Sequence, residues 1–268
     1  MSGVAADGVA ARRFGGMRVE HIMGTAIGID VRDPGVDLAA VDAAFEWFRD
    51  VDRRFSTYRA DSEISRIGSG ALDASAASED VRAILALCDD LTRTTGGAFD
   101  ATRHRADGSL DPSGVVKGWA VDEAARILEA ARGRNFTINA GGDVVARGTP
   151  DGSRGWRVGI RHPRIADRVA AVLEVSDRAV ATSADYERPG HIRDPRRDGG
   201  PASGGKSDLL SMTVVGPSLT WADAYATAAF VMGEAGAAWV AERPGYGAIA
   251  ITTDDRVIWT PEAEALRA

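Results

Sequence analysis

Four short segments place small residues beside a carboxylate: Thr95-Gly96-Gly97-Ala98-Phe99-Asp100, Asp111-Pro112-Ser113-Gly114-Val115-Val116-Lys117-Gly118, Asn139-Ala140-Gly141-Gly142-Asp143 and Ala222-Asp223-Ala224-Tyr225-Ala226-Thr227. Paired glycines let backbone N–H groups approach a ligand closely, and such turns form anion nests. Each segment alone is weak, and Gly-Gly-Asp is more often a plain turn. Four of them in one chain of this size point to a ligand.

Asp223 and Thr227 stand at i and i+4 of an expected helix, which puts their oxygens on one face. A carboxylate beside a hydroxyl suits a hard cation such as Mg²⁺, which takes oxygen ligands and keeps water and phosphate for the rest. Spacing alone favours a surface pair. The flanking alanines instead imply close packing, where an unpaired carboxylate is costly. His191, in Gly190-His191-Ile192-Arg193-Asp194-Pro195, is a candidate general base near neutral pH. Tyr58 either stacks on a planar ring or covers the core beside Phe55.

The chain that must position these groups has 268 residues, 44% hydrophobic and 26% charged, with a net charge of −7. That is the balance of a globular protein long enough to bury a core without disulfides. The acidic excess argues against nucleic-acid binding, which rests on basic patches. A lone cysteine, Cys88, excludes an internal disulfide framework and CxxC zinc sites. No run of about 18 apolar residues indicates a membrane span. G-x-G-x-x-G, Walker A, H-E-x-x-H and G-x-S-x-G signatures are all missing. Residues 1–16 read as a short disordered leader without an apolar export core, so a cytoplasmic location is expected for the domain over 17–268.

Alternation over Val19–Val31 predicts a strand, and helical spacing over Asp37–Phe55 an amphipathic helix. A polar loop over Ser56–Ile67, in which Asp61-Ser62-Glu63 opens a short helical turn, leads to a helix over Glu79–Thr94 that Ser78 caps and Gly96-Gly97 ends. A third helix is expected over Gly118–Ala131, then strands over Phe136–Asn139, Trp156–Ile160, Ala170–Val175, Arg178–Thr182 and Ser211–Val215. Thr220–Gly233 and Ala237–Ala241 read as helical, and Tyr246–Thr252 with Val257–Trp259 as a closing hairpin. Arg188–Lys206 reads as a loop. Without a regular βα repeat, the expected class is α+β: one domain, a mostly antiparallel sheet packed with helices.

Taken in order, the segments resemble the FAD:protein FMN transferase (ApbE) family. The resemblance covers about residues 19–260. It runs from Met23-Gly24-Thr25 through Phe55-Ser56-Thr57-Tyr58-Arg59-Ala60-Asp61-Ser62-Glu63-Ile64-Ser65, Gly96-Gly97-Ala98-Phe99-Asp100, Lys117-Gly118-Trp119-Ala120-Val121-Asp122 and Asn139-Ala140-Gly141-Gly142-Asp143. It continues through Ala181-Thr182-Ser183-Ala184-Asp185-Tyr186, His191-Ile192-Arg193-Asp194-Pro195 and Ala222-Asp223-Ala224-Tyr225-Ala226-Thr227-Ala228. The chain departs from that pattern in a short stretch between Asp100 and Asp111, in Asp111-Pro112-Ser113, and in Ala184, where the family usually has glycine.

The resemblance implies an Mg²⁺-dependent enzyme that moves FMN from FAD to a Thr or Ser hydroxyl of an acceptor protein and releases AMP. It implies FAD contacts at Met23, Tyr58, Ala98, Phe99, Asp100, Asp111 and Lys117. The implied Mg²⁺ ligands are Asp223, Thr227 and the Gly114 carbonyl, and His191 is the implied base. The same site would serve an FAD pyrophosphatase that yields FMN and AMP, or a non-catalytic flavin-binding protein, and the residues alone do not separate these.

Overall fold

The computed structural model describes residues 13–102, 109–165, 167–184, 194–196 and 208–268. The expected leader therefore lies outside the described residues up to position 12. Its last four positions are already strand, because β1 starts at Arg13.

The frame is one eight-stranded sheet. Its strands are β1 (Arg13–Ile22), β2 (Thr25–Asp37), β3 (Phe136–Ala140), β4 (Asp143–Arg147), β7 (Arg178–Ala184), β8 (Leu209–Gly216), β9 (Gly247–Thr252) and β10 (Val257–Trp259), adjacent in that order. Every neighbouring pair is antiparallel. Two further strands, β5 (Trp156–Arg161) and β6 (Val169–Val175), form a separate hairpin. Among the described residues the helices are α1 (Leu38–Phe55), α2 (Glu63–Gly68), α3 (Glu79–Thr94), α4 (Ser113–Ala130), α5 (Leu219–Met232), α6 (Glu234–Ala241) and α7 (Pro261–Glu264). The expected α+β class is the observed one.

Side chains alternate across a strand, so each strand can serve two cores. Val214 and Ala248 join α1, α4 and α5 in the main core, through Phe45, Phe48, Val121 and Ala226. Their neighbours Val215 and Ile249 face the other way and bury Trp156, Ile160 and Leu173 of the β5–β6 hairpin. The sheet is thus covered by helices on one side and by a small hairpin on the other.

Three elements differ from the sequence-based expectation. Val19–Val31 is two strands, not one: Ile22 pairs with Thr25 across a two-residue turn. Met23 (φ 57°) and Gly24 (φ 71°) are both left-handed, the requirement of a type I′ hairpin. Polar–apolar alternation runs on through a two-residue turn, so periodicity alone does not reveal the break. The third helix starts at Ser113 rather than Gly118, with Pro112 at its cap position and the Ser113 N–H donated to the Asp111 carboxylate at 3.0 Å. Gly114 and Gly118 lower local helix propensity, yet here they are an adaptation to close packing. A Cβ on Gly118 would lie 2.4 Å from the Leu219 carbonyl oxygen of α5. β4 is a strand that the sequence reading did not contain.

Candidate active site

The two hairpin turns and the two closely packed helices meet at one cleft of about 720 Å³, within the size range of small-molecule sites. One wall is the turn Met23-Gly24. Beside it lies the β3–β4 turn, Gly141 (φ 62°) and Gly142 (φ 100°), held by the Asn139 side-chain oxygen, which accepts from the Gly142 N–H at 2.9 Å. Gly141 allows the two turns to touch: its N–H donates to the Ala26 carbonyl at 3.1 Å, and a Cβ there would fall 2.5 Å from the Thr25 hydroxyl. Phe48, Val51 and Phe55 of α1, with Tyr58, add apolar and aromatic lining. Tyr58 is 84% exposed, so its ring is presented rather than buried.

The lining also carries charged groups. Lys117 sits in the second turn of α4 with its Nζ 2.5 Å from Asp143 Oδ2 and 3.7 Å from Asp223 Oδ1. Both carboxylates are buried. Asp143 opens β4, and its Oδ1 accepts from the Thr182 N–H at 3.0 Å. Asp223 Oδ2 is buried with no hydrogen-bond partner. Burial pushes the Asp223 carboxyl well above the usual carboxylate range; the Lys117 ammonium opposes this, Asp143 adds to it, and the Gly118 backbone N–H opposes it. One ammonium is therefore shared between two buried acids.

Thr227 lies one turn beyond Asp223, and its hydroxyl is 3.2 Å from the Ser183 hydroxyl of β7. The Cβ position of Gly114 is 3.7 Å from that same Thr227 hydroxyl, so the first turn of α4 faces it directly. An orphaned buried carboxylate oxygen, a neighbouring hydroxyl and a close backbone make an all-oxygen donor set, which suits a hard divalent cation and fits Mg²⁺. No cluster of three or more His, Cys, Asp or Glu side chains occurs among the described residues.

Of the sequence-predicted residues, Met23, Tyr58, Gly114, Lys117, Asp223 and Thr227 line the cleft together. Ala98 and Phe99 do not; they are buried in the main core, with the Phe99 ring 3.0 Å from the Cβ position of Gly114, and so support the start of α4 from below. Asp100 and Asp111 also stand outside the lining. Asp100 accepts from the Thr102 N–H and hydroxyl at 2.8 Å, while Asp111 is buried ahead of α4. His191 lies outside the described residues. The end of its motif is placed: Asp194 is buried, and Arg196 pairs with it at 2.8 Å and reaches the Val231 carbonyl of α5 at 3.4 Å. Gly141-Gly142-Asp143 is visible in the sequence as a ligand turn, yet Asp143 is not among the site residues expected from it. The signal was a carboxylate directly after a glycine pair at a strand end.

Fold and cleft together define an α+β protein whose cleft combines aromatic side chains with a buried carboxylate–ammonium group. A model of the ApbE family matches residues 23–106 and 102–250, and the chain belongs to that family. It is similar to the FAD:protein FMN transferase of Haemophilus influenzae, 26% identical over 313 residues, 91% of this chain and 88% of that protein. It is also similar to the FAD:protein FMN transferase of Rhodobacter capsulatus, 38% identical over 165 residues, which are 58% of this chain and 30% of the relative. Among solved structures, the flavin transferase ApbE from Vibrio cholerae superposes with a TM-score of 0.81 at 25% identity, covering 96% of this chain and 99% of that one.

Proposed function

We propose that this protein is an FAD:protein FMN transferase that uses Mg²⁺, takes FAD in the cleft and passes FMN to a Thr or Ser hydroxyl of an acceptor protein. The observation that carries the reading is the unpartnered, buried Asp223 Oδ2 beside the Thr227 hydroxyl, in a pocket that also offers an aromatic wall. A dinucleotide with a flat ring at one end and a pyrophosphate in the middle matches that combination.

In this reading Asp223, Thr227 and the Gly114 carbonyl hold Mg²⁺, which when bound supplies neutralisation of the pyrophosphate charge. Lys117 adds a second positive group beside the same phosphates, steadied by Asp143. Met23 and Tyr58 flank the flavin ring. His191 takes the proton from the acceptor hydroxyl as its oxygen bonds to the FMN phosphorus. The bond from that phosphorus to the bridging oxygen breaks, and AMP departs with the bridging oxygen. Catalysis on such a substrate is chiefly alignment and charge compensation, which a rigid cleft between packed helices and hairpin turns provides. No helix among the described residues is long and apolar enough to cross a membrane; a cytoplasmic location belongs to the proposal, and cell fractionation checks it.

The deciding experiment incubates the protein with FAD, acceptor candidates and Mg²⁺ or EDTA, then measures intact acceptor mass and free FMN. An Mg²⁺-dependent flavin adduct on the acceptor supports the reading. Free FMN and AMP with no adduct make the protein a pyrophosphatase, and bound but unchanged FAD makes it a carrier.

A further inference from the structure

Helix α5, which carries Asp223 and Thr227, begins without a cap of its own. Ser218 stands at the cap position, but its side chain makes no capping hydrogen bond there. The first N–H groups of a helix have no partner within the helix and need an acceptor when buried. The acceptor comes from another helix. Asp122 of α4, 5% exposed, takes the Leu219 N–H on Oδ1 at 3.1 Å and the Thr220 N–H on Oδ2 at 2.9 Å. The same Oδ2 accepts from the Ser218 and Thr220 hydroxyls, both at 2.7 Å.

Gly114, Gly118 and Asp122 follow one another at four-residue steps along one face of α4. Their partners on α5 run in the opposite order: Gly114 faces Thr227, Gly118 touches Leu219 and Thr220, and Asp122 holds Ser218 to Thr220. One end of this seam is the candidate cation site, whose donors come from both helices. The other end is the Asp122 clamp. Between them Gly118 lets the backbones meet, so a shift of α5 at the clamp is carried as a rigid-body movement to Asp223 and Thr227.

We infer that Asp122 is a positioning residue: by capping α5 from within α4, it sets the separation between Gly114 and the Asp223–Thr227 pair and thereby the affinity of the cleft for a divalent cation. This rests on the metal reading above. Groups that orient metal ligands typically change affinity about 10- to 100-fold when altered.

The test uses the full-length protein without FAD and Mn²⁺ as the probe, followed by electron paramagnetic resonance and calorimetry, with Mg²⁺ as competitor. Asp122→Asn and Thr220→Val keep most of the shape while removing part of the clamp; circular dichroism confirms that each is folded. Asp122→Asn is expected to weaken Mn²⁺ binding about tenfold or more, and Thr220→Val by less, while Asp223→Ala abolishes it. If folded Asp122→Asn melts earlier but binds Mn²⁺ within about twofold of the parent, the residue is merely structural and the inference is overturned. If the parent binds no Mn²⁺, or Asp223→Ala binds it equally well, the metal reading falls and takes this inference with it.

Discussion

Lys117 and Asp143 form a 2.5 Å ion pair between the second turn of α4 and the first residue of β4, with the carboxylate 2% and the ammonium 34% exposed at the side chain. The pair ties the helical layer to the sheet at the floor of the cleft. It also leaves the second acid, Asp223, only a distant share of the same cation.

Removing the ammonium therefore exposes two buried acids to each other. Breaking a buried pair costs about 3–5 kcal/mol, and water reaching the partly exposed lysine brings the expected cost of Lys117→Met to about 2–3 kcal/mol. Thermal melts in EDTA should show that loss. Mg²⁺ should recover more stability in the variant than in the parent, because two acids are then free to take it. Equal melting of variant and parent in EDTA would refute the shared-cation account.

Asp223→Asn keeps the size of the side chain and removes its charge. The expected outcome is a fall in Mg²⁺-dependent FMN transfer of about 100-fold or more, with FAD binding changed far less, since lost charge compensation acts mainly on the phosphoryl step. Single-turnover transfer and FAD titration read the two quantities separately. A similar drop in both would assign Asp223 to ligand binding alone.

What could be read from the sequence followed from local periodicity. Asp223 and Thr227 share a helix, so their common face is legible from their spacing, and α1 announces itself through Val41, Phe45, Phe48 and Phe55. Partners distant in sequence leave no such trace. Asp143 is visible as a turn residue, but its ion pair with Lys117 exists only because β3 and β4 fold back under α4. The start of α4 is hidden for a related reason: Gly114 and Gly118 weaken local helix propensity, and the contact with α5 that requires small residues there is tertiary. The Met23-Gly24 turn is concealed because two residues preserve the alternation on either side.

Asp33 gives a pH signature outside the cleft. Partial burial raises its carboxyl, but the backbone N–H groups of Asn135 and Arg134 and the Asn135 side-chain amide all donate to it, and the net result lies below the usual value. A depressed folded pKa contributes stability above the unfolded value, near ~3.9, and loses it as pH falls through the folded value. Asp33→Asn should therefore cost about 1–3 kcal/mol at pH 7, and its deficit should shrink below about pH 4. Urea midpoints from pH 7 to pH 3 measure it; a deficit constant across that range rules the account out.

Cys88 lies in α3, and burial, with nearby Asp89, Asp111 and Asp100, pushes its thiol up to about 12. The thiolate is the reactive form, so at pH 8 alkylation of the folded protein should run at least ~100-fold slower than in denaturant. Timed iodoacetamide labelling with intact mass detection follows it. Rapid labelling of folded protein would mean that α3 opens readily.

Gly118 and Gly114 lie one helical turn apart and should answer the same substitution differently. Alanine at 118 drives a methyl to 2.4 Å from the Leu219 carbonyl oxygen and 3.0 Å from Thr220 Cα, and neither backbone atom can rotate away. Overpacking of this kind costs about 1–3 kcal/mol or more, and α5 would be pushed off the α4 seam. Alanine at 114 meets no backbone atom: it comes 3.0 Å from the edge of the Phe99 ring and an ordinary 3.7 Å from the Thr227 hydroxyl, and it gains up to about 1 kcal/mol of helix propensity. Chemical denaturation should thus find Gly118→Ala clearly destabilised and Gly114→Ala within about 1 kcal/mol of the parent. If Gly118→Ala proves as stable as the parent, α4 and α5 do not meet as closely as the cation site requires.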